Sequence, residues 1–511
     1  MRYPLILVFI IGLIAGCSGT KSTLKRADRN YCATVDMPDP GRLSEHLAPL
    51  RDRMRSQTGM MSLEEGETSM IVRGWFTELA EKTIDIQYFI FSADNVGLIA
   101  VDYFLRAAER GVQVRLLVDD ITLKAEARQL LAIDSHPNIQ IRIFNPVANV
   151  GKTFPQKLGN ALTDFRGFNH RMHNKTFVVD GQVVITGGRN LALEYFDFSH
   201  SYNYRDRDVL LIGAAATPVQ SSFDEFWNSR FSVPVDRLVD VSASDIQAEQ
   251  TWNDIHQHAC NPKNYWPQVR EKIVNMPATF AKMQESGELV WSEHVSFISD
   301  VPEKNDGEEG LGGGGITTNE LIRLVEQATS SIEIQTPYLV TTSLSWDLFR
   351  KAIERGVSIR ILTNSLASTD NLEAFSGYKR DRETLLKLGV EIYEFKPDAD
   401  IRRTVLTSPL QDSLDYKPII GLHSKSMVVD GKIAMIGTFN LDPRSANLNT
   451  ECITVMYDET IAGRLQRVME TDRLPENAWR ITTDWNPDKK ANLGDRFGVW
   501  WRTFLIPKSV L

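Results

Sequence analysis

The sequence predicts two α/β domains related by an approximate twofold axis, each a mixed, largely parallel sheet flanked by helices. The first observation is length, since 511 residues exceed what one hydrophobic core usually organises. The second is a repeated order of strand, helix stopping at glycine, and strand, which is typical of βαβ units. The third is one motif that occurs twice, beginning at His173 and at His423.

The repeated order covers corresponding parts of the two halves. The first copy has an alternating strand at 82–88 and a second strand at 112–118, with a helix between them. The second copy has strands at 331–335 and 357–362 around a similar helix. The period is too long, and the copies too few, for a solenoid. Two such halves would each present one motif to a shared cleft.

Six segments follow from this pattern and from the composition between the copies. Polar sequence precedes the first domain, a connecting segment with a mobile glycine-rich loop separates the domains, and an aromatic tail follows the second. The predicted bounds are 1–16 for a signal peptide, 17–55 for a tether and N-terminal segment, 56–235 for domain 1, 236–315 for the connection, 316–480 for domain 2 and 481–511 for the tail.

The overall composition is that of a folded, acidic protein. Apolar residues make up 42% of the chain and charged residues 24%, which excludes wholesale disorder. The formal net charge of −9 gives no general attraction to a polyanion. No nucleic-acid partner is therefore expected, although a locally basic site is compatible with this charge.

An apolar run at 5–15 precedes Cys17 and is too short to span a membrane. The small residues before Cys17 resemble a bacterial lipobox, which implies cleavage before Cys17 and attachment of lipid to it. The protein would then be lipid-anchored in the cell envelope and face the periplasm. An ordinary secretory signal with an incidental cysteine is the alternative.

An exported protein meets oxidising conditions, in which its other cysteines can form disulfides. Cys32 and Cys260 are candidates for a disulfide, although the sequence does not give their separation. Cys452 lies in an apolar, strand-like run and is expected to be a buried free thiol. A metal site at His256 and His258 is not expected, because no fourth ligand accompanies them and Cys260.

The first motif, HNKTFVVDGQVVITGGRN, predicts a β-hairpin. An apolar strand leads to an Asp-Gly pair at 180–181, a strong signal for a two-residue turn. His173 and Lys175 are two residues apart and project from the same face. On this register Gly188 faces His173, and the amide group of Asn190 is close by.

The second motif, HSKSMVVDGKIAMIGTFN, has the same plan. The glycines of both motifs, Gly187 and Gly437, let a substrate oxygen approach the backbone. The remaining positions of the second motif are His423, Lys425, Asp430, Thr438 opposite His423, and Asn440.

Carboxylates that serve the histidines must be sought outside the turns. Seven residues of strand span about 23 Å, so Asp180 and Asp430 are predicted to be structural residues at the hairpin tips. A catalytic histidine needs a carboxylate to fix its tautomer and support its charge. Asp206 and Glu451, each introducing the strand after a hairpin, are the candidates, and Asp208 competes with Asp206.

The two complete copies of His-x-Lys-x4-Asp-x6-Gly-x2-Asn resemble the paired HKD motifs of the phospholipase D superfamily. The flanking stretches at 187–196 and 440–451 look like those of bacterial cardiolipin synthases, especially the C-type. The resemblance covers about residues 60–511 and departs from the family at the lipoprotein-like start. It implies a phospholipase D-like fold in both halves and chemistry without a metal or other cofactor.

The resemblance also implies a role for each motif residue. His173 would attack the phosphorus and form a phosphohistidine, while His423 would act as the acid and then the base. Lys175, Lys425, Asn190 and Asn440 would hold the nonbridging oxygens. Tyr88 and Tyr338 are candidates for lining the cleft, or are ordinary strand aromatics. Thr438 and Ser445 are further cleft candidates.

Three functions follow, in decreasing order of support. The first is phosphatidyl transfer that makes cardiolipin, with phosphatidylglycerol and phosphatidylethanolamine as substrates. The second is a hydrolytic phospholipase D that releases phosphatidic acid, and the third is an envelope phosphodiesterase or nuclease. The need for an accessory protein stays open. The choice between inner and outer membrane also stays open. Ser18, directly after the lipidated cysteine, resembles a signal for outer-membrane sorting, whereas cardiolipin synthesis is expected at the inner membrane.

Overall fold

A computed structural model of the protein describes residues 41–511 except 122, 124–126, 148, 151–164, 240–245 and 306–310. The predicted signal peptide, the lipidation site Cys17 and the disulfide candidate Cys32 lie outside the described residues. Among the helices that are described, none is long and apolar enough to cross a membrane.

The strands of the described chain are numbered in sequence order. They are β1 Thr58–Leu63, β2 Thr83–Tyr88, β3 Gln113–Asp119, β4 Ile139–Phe144, β5 Thr176–Val179, β6 Val183–Gly187, β7 Tyr202–Arg205, β8 Asp208–Gly213, β9 Ser232–Pro234, β10 Val290–Ser292, β11 Val295–Ser299, β12 Ser331–Gln335, β13 Ser358–Asn364, β14 Glu391–Phe395, β15 Ile419–Leu422, β16 Ser426–Val429, β17 Ile433–Gly437, β18 Cys452–Tyr457 and β19 Ala478–Arg480.

The helices lie mainly between these strands. The α-helices are Leu43–Leu47, Arg51–Met54, Gly66–Leu79, Asn95–Glu109, Ala127–Asp134, Phe165–Asn169, Ala216–Asn228, Ala248–Cys260, Pro267–Val274, Met276–Glu285, Ile316–Gln327, Ser343–Glu354, Leu372–Leu388, Arg402–Val405, Pro409–Ser413, Pro443–Asn447, Glu459–Asp472 and Leu493–Leu505. Short 3₁₀ turns occupy Ala48–Leu50, Leu193–Tyr195, Val235–Arg237, Asp488–Lys490 and Lys508–Val510.

The strands form two large mixed sheets, which confirms the α/β class. The first sheet has the order β10-β1-β8-β6-β5-β2-β3-β4-β9, and the second has the order β11-β18-β17-β16-β12-β13-β14-β19. Parallel pairing joins β2 to β3 to β4 and β12 to β13 to β14. The other pairs in both sheets are antiparallel. Each motif hairpin enters its sheet as two antiparallel strands beside the parallel group.

The two sheets pack against each other through a shared apolar core. Equivalent residues of the two hairpins, Val178 with Val428 and Val184 with Ala434, belong to this one buried cluster. Helices Ala216–Asn228 and Glu459–Asp472 contribute further apolar side chains to it. Burial of such side chains is the main favourable term in domain association, so this core fixes the two hairpins side by side.

Backbone from each half also pairs with backbone from the other. Strand β7 of the first half and β15 of the second form a two-stranded parallel sheet. An isolated parallel bridge joins Met172 to Thr450. In each crossing, one of the two paired segments ends immediately before a motif histidine, so the halves meet where the chemistry is predicted.

The hairpin register differs from the predicted one by one residue. Backbone hydrogen bonding from Gln182 N–H to Val179 C=O, 3.0 Å, closes a turn around the Asp-Gly pair. Gln182 is an additional loop residue, and the strands pair Val179 with Val183. The second hairpin pairs Val429 with Ile433 in the same way. The opposed pairs predicted from a two-residue turn, His173 with Gly188 and His423 with Thr438, are therefore wrong.

The predicted connecting segment is mostly ordered structure. Its three long helices pack on the first half, where Trp252, Val269 and Phe280 join the main core, while β10 enters one sheet and β11 the other. Lys304, placed in the predicted mobile loop, is 4% exposed and bonds Asp300 and two backbone carbonyls. Residues 306–310 of that loop lie outside the described residues. The predicted domain bounds stay predictions.

The cysteine predictions have separate outcomes. Cys452 is buried and free, as predicted. Cys260 is disulfide-bonded, and its candidate partner Cys32 lies outside the described residues. His256 bonds the Asp102 carboxylate, and His258 Nε2 lies 2.8 Å from the Asn95 side-chain oxygen, so each imidazole has a protein partner.

Candidate active site

The two motif histidines line one cleft between the halves, with a volume of about 560 Å³. This is within the range of pockets that hold small molecules. Both halves contribute walls, and the lining residues are Phe89, Ile90, Asn169, His173, Asn190, Glu194, Tyr195, Tyr204, Tyr338, Asp370, Asn371, Glu373, Ala374, His423, Asn440, Asp442, Arg444, Asn449, Ile506, Val510 and Leu511.

His173 is held by two consecutive residues of the second half. Its backbone N–H donates to the Thr450 carbonyl at 2.9 Å, and its Nδ1 lies 2.8 Å from Glu451 Oε2. Phe89 packs edge to face against the imidazole, with ring centroids 5.0 Å apart. The ring therefore has its Nδ1 on a carboxylate, and this favours the tautomer that leaves Nε2 unprotonated.

His423 is held in the equivalent way by the first half. Its backbone N–H donates to the Arg205 carbonyl at 2.9 Å, and its Nδ1 lies 2.6 Å from Asp206 Oδ2. The rings of Tyr195 and Tyr204 pack against it, with centroids at 5.1 and 4.7 Å. The two histidines thus have carboxylate partners of one type but different aromatic surroundings.

The carboxylate partners exchange between the halves. Asp206 follows the first hairpin but bonds the second histidine, and Glu451 follows the second hairpin but bonds the first. The competing candidate Asp208 is bonded elsewhere, because its carboxylate accepts from Arg73 at 2.9 Å and from Ser69 at 2.8 Å. Neither half alone contains a complete histidine–carboxylate pair.

Both partner carboxylates are buried and keep their charge. Burial acts to raise the pKa of Asp206, but the positive charge and hydrogen bond of His423, with Lys425 behind it, lower that pKa overall. Burial likewise opposes ionisation of Glu451, yet His173 and Lys175 lower its pKa. Two fixed anions therefore lie behind the two imidazoles.

For the basic groups of the site, burial outweighs the nearby carboxylates and lowers the pKa values. Burial lowers the pKa of His173 to about 4, despite the raising effect of Glu451. Burial, with help from Lys425, also lowers the pKa of His423. Burial lowers the pKa of Lys175 to about 7 and of Lys425 to about 8. Binding of an anionic ligand would stabilise the charged forms of these buried basic groups and raise their pKa values again.

The lysines lie directly behind the histidines. Lys175 Nζ donates to the His173 carbonyl at 2.7 Å, and Lys425 Nζ lies 2.9 Å from His423 Nδ1 and 3.1 Å from its Nε2. This follows from the two-residue spacing, which puts both side chains on one face of the chain.

The two asparagines are placed at the cleft wall but are bonded differently. Asn190 accepts from the Ile90 N–H at 3.0 Å and donates to the Tyr195 hydroxyl at 2.9 Å. Asn440 is 5% exposed, and its side-chain oxygen has no hydrogen-bond partner among the described residues. The side-chain amide of Asn440 therefore has more unused hydrogen-bonding capacity than that of Asn190.

The turn aspartates lie away from the cleft and are structural in their contacts. Asp180 accepts the backbone N–H groups of residues 81–83 at 2.7–2.9 Å. Asp430 accepts those of residues 329–331 in the same pattern, and these bonds lower its pKa despite partial burial. Each hairpin tip is thereby fixed to the start of β2 or β12.

The motif glycines allow close backbone approach, although to protein rather than to substrate. A Cβ on Gly187 would lie 2.5 Å from the Arg207 carbonyl oxygen, at a φ of +154°. A Cβ on Gly437 would lie 2.5 Å from the Cys452 carbonyl oxygen. The neighbouring Gly188 leaves the space that the Asp206 carboxylate fills, since a Cβ there would be 2.1 Å from Asp206 Oδ1.

The four cleft candidates separate in the structure. Tyr338 lines the cleft and donates to Asp370 at 2.9 Å. Tyr88 does not, because it is buried under the first sheet with its hydroxyl accepting from Arg73 at 3.0 Å. Thr438 is buried behind the cleft and donates to Glu451, and Ser445 accepts the Asn440 N–H at 3.2 Å. These two support cleft residues instead of lining the cleft.

Sequence reasoning missed the acidic, tyrosine-lined wall beside His423. Asp370 Oδ2 accepts the hydroxyl groups of Tyr204 at 2.8 Å and of Tyr338 at 2.9 Å. Glu194 lines the same cleft, and Arg444 is its one arginine in the described chain. Tyr204 precedes Asp206 by two residues, which is a usable signal, whereas no motif marks Asp370.

Comparison with known proteins agrees with this geometry. A family model described as "Cardiolipin synthase, PLD-like domain" matches residues 77–227 and 321–473, more than half of the chain. Cardiolipin synthase C of Escherichia coli (strain K12) is 33% identical over 449 residues, covering 87% of this chain and 90% of that protein. Cardiolipin synthase 1 of Bacillus anthracis is 25% identical and covers 89% of this chain and 75% of its own length.

A solved structure shares the fold. The crystal structure of phosphatidylserine synthase from Haemophilus influenzae Rd KW20 superposes with a TM-score of 0.58 at 15% identity, covering 91% of this chain and all of that one. Both halves of the chain are thus accounted for by one family, and the protein belongs to the cardiolipin synthase, phospholipase D-like family.

Proposed function

We propose that this protein is a phosphatidyltransferase that makes cardiolipin through a phosphohistidine intermediate. The observation that carries the proposal is the crossed pair His173–Glu451 and His423–Asp206 in one cleft. Two histidines with equivalent supports suit a reaction in which one forms a covalent bond while the other moves a proton. The names of the relatives supply the reaction class.

We assign the role of nucleophile to His173, as the resemblance to the family implies. Its pKa of about 4 keeps the imidazole neutral near pH 7, and the Glu451 carboxylate accepts its Nδ1–H. The Nε2 lone pair then attacks the phosphorus of a phospholipid, forming an N–P bond as the P–O bond to the leaving alkoxide breaks. His423, whose lowered pKa the bound anionic phosphodiester would raise again, gives its Nε2 proton to that alkoxide, and the Asp206 carboxylate supports the imidazolium.

The second half of the reaction reverses these steps. His423, now neutral, removes the proton from an incoming hydroxyl group. The oxygen of that hydroxyl attacks the phosphorus, the N–P bond breaks and neutral His173 is regenerated. Transfer results when the hydroxyl belongs to the glycerol of a second lipid, and hydrolysis results when it belongs to water.

The lysines would neutralise the phosphate oxygens. An anionic phosphodiester would raise their lowered pKa values again, and Lys425 would then turn its charge from the His423 ring to the ligand. Asn440 and Asn190 lie at the same wall, where their side-chain N–H groups would be the donors to the phosphate oxygens. Preorganised donors of this kind stabilise charge that develops in the transition state.

The proposed substrates are phosphatidylglycerol and phosphatidylethanolamine, and the proposed location is the bacterial envelope. Lipid attached at Cys17 would keep the enzyme beside its insoluble substrates with the cleft facing the periplasm. Whether an accessory protein takes part is left to the assay below.

The test is lipid product analysis with purified protein and vesicles that contain labelled phosphatidylglycerol and phosphatidylethanolamine. His173→Ala and His423→Ala are compared with His294→Ala, which removes an exposed histidine instead. Cardiolipin formed by the unmutated protein and by His294→Ala alone supports the proposal. Phosphatidic acid without cardiolipin identifies a hydrolase, and no turnover with or without envelope extract contradicts the proposed substrates.

A further inference from the structure

The helix Leu493–Leu505 carries an apolar stripe that nothing in the described chain covers. Leu493 is 77% exposed, Phe497 65%, Trp500 56% and Phe504 73%. Their spacing of four, three and four residues puts them on one face of the helix. The rings are also in contact, with Phe497 stacked on Trp500 at 5.9 Å and Trp500 meeting Phe504 at 5.6 Å. The stripe is thus a continuous aromatic surface.

The opposite face of this helix fixes how the stripe points. Gly498 and Val499 are buried against the helix Leu372–Leu388, and a Cβ on Gly498 would lie 3.1 Å from the Leu372 side chain. Arg502 donates to Glu373 at 2.7 Å and lies over the Trp501 ring at 4.3 Å. The helix is therefore docked by its small and charged residues, and its large apolar residues are left facing outward.

The stripe is continuous with the candidate active site. Directly after the helix, Ile506, Val510 and Leu511 line the cleft that holds His173 and His423. Backbone N–H of Arg444 donates to the Leu511 oxygen at 3.1 Å, which holds this segment against the second motif loop. A surface that accepted the stripe would consequently lie next to the entrance used by the substrate.

Charge around the helix favours an anionic surface. Within residues 481–511, Arg502, Lys508 and Asp488 pair with residues outside the segment, which leaves three basic and two acidic side chains in a chain of net charge −9. Lys489, Lys490 and Arg496 are exposed near the first turn of the helix. Aromatic and leucine side chains on one face with basic residues nearby are typical of helices that lie in a lipid interface.

We propose that the helix Leu493–Leu505 inserts its Leu493, Phe497, Trp500 and Phe504 stripe into the surface of a phospholipid bilayer that carries anionic lipid. This positions the cleft over the membrane, independently of any lipid attached at Cys17. The inference rests on the proposed action on phospholipids. A bilayer, rather than a protein groove, is favoured by the basic residues and by continuity with the cleft.

The test uses full-length protein with Cys17→Ser, so that no attached lipid contributes to binding. Flotation with vesicles of phosphatidylglycerol and phosphatidylcholine is measured for this protein and for Phe497→Ser/Trp500→Ser/Phe504→Ser. The matched control is Ile316→Ser/Leu344→Ser/Tyr416→Ser, which removes three exposed apolar side chains elsewhere. The stripe variant is expected to lose binding by on the order of ten-fold or more, and the control is expected to float normally.

Two further measurements distinguish a lipid surface from other binding partners, and membrane binding from catalysis. Lys489→Glu/Lys490→Glu is expected to weaken binding to anionic vesicles while leaving the weak binding to pure phosphatidylcholine unchanged. Turnover of a short-chain, monomeric phospholipid should be equal in the stripe variant and the parent, whereas turnover of vesicle lipid should fall. If no lipid is turned over but flotation depends on the stripe, docking stands and the proposed reaction fails.

Two results would overturn the docking proposal. One is equal flotation of the stripe variant and the control. The other is a parent protein that is dimeric by light scattering, becomes monomeric in the stripe variant and does not float, which would assign the stripe to a second copy of the chain.

Discussion

Nδ1 of His423 lies 2.6 Å from Oδ2 of Asp206, a carboxylate from the opposite half of the chain. The reciprocal contact joins His173 to Glu451 at 2.8 Å. Each histidine also donates its backbone N–H to the carbonyl of the residue just before its carboxylate partner, Thr450 for His173 and Arg205 for His423. Each half thus supplies the carboxylate that supports the histidine of the other half.

The first prediction concerns this crossed pair. Asp206→Asn should lower kcat by about 100-fold or more, because the amide can present its N–H to Nδ1 and no longer stabilises the imidazolium. KM should change little, and the pH profile of kcat should shift. The measurement is kcat and KM against pH, with Asp415→Asn, an exposed aspartate, as the control. An Asp206→Asn enzyme with parental kcat would show that the contact has no catalytic role.

Local features of the site were predictable from sequence, and distant ones were not. The alternation of His173 with Lys175 and the Asp-Gly turn follow from strand period and turn chemistry, which short segments determine. The extra residue Gln182 in the loop was missed, since the turn signal does not specify the pairing beyond it.

The larger errors of prediction from sequence concern where residues lie in the tertiary structure. The exchange of Asp206 and Glu451 between halves depends on how two sheets pack, which no single hairpin encodes. Tyr88 has the sequence position of a cleft residue, but the Arg73 side chain and the surrounding core hold it under the sheet. Asp370 enters the site from a loop without any motif, so only the fold shows it.

The second prediction concerns Asp370, which two tyrosine hydroxyls orient toward the cleft. Asp370→Asn removes an anionic acceptor for a hydroxyl or ammonium group of a lipid headgroup. The ratio of transfer to hydrolysis should fall by roughly ten-fold, because water does not depend on that contact. The ratio of cardiolipin to phosphatidic acid measures it, with the exposed Asp398→Asn as control. An unchanged ratio would remove Asp370 from headgroup binding.

The third prediction concerns His170, which lies between the rings of Phe144 and Phe231 with centroids at 5.8 and 5.0 Å. Burial, with nearby Arg171, lowers its pKa to about 3, and its Nε2 has no hydrogen-bond partner among the described residues. The unfolded chain binds a proton on this side chain at higher pH than the folded protein does. Stability is therefore present above the unfolded pKa and is lost as pH falls toward the folded pKa.

For this one residue, the loss between pH 8 and pH 5 is about 2 kcal/mol. His170→Phe should reduce the pH-dependent loss by about that amount, as urea denaturation at the two pH values would show. The exposed His294→Phe should leave the loss unchanged. Equal pH dependence in His170→Phe and the parent would contradict the buried, neutral state of His170.

The last prediction separates structural from chemical aspartates. Asp180→Ala removes a carboxylate that accepts three backbone N–H groups at 2.7–2.9 Å, and it places alanine at a φ of +50°. The free energy of unfolding should fall by about 3 kcal/mol. Asp180→Asn should lose less, because asparagine tolerates this φ and keeps one acceptor oxygen.

Both Asp180 variants should keep the parental kcat per folded molecule, since the hairpin tip lies away from His173. Urea denaturation gives the stability, and active-site titration by phosphohistidine trapping gives the number of folded sites. The equivalent Asp430 variants provide an independent repeat, because Asp430 makes the same contacts in the second half at a φ of +54°. A kcat per site that fell as far as in Asp206→Asn would mean that the turn aspartates act in catalysis, in conflict with their bonding to the starts of β2 and β12.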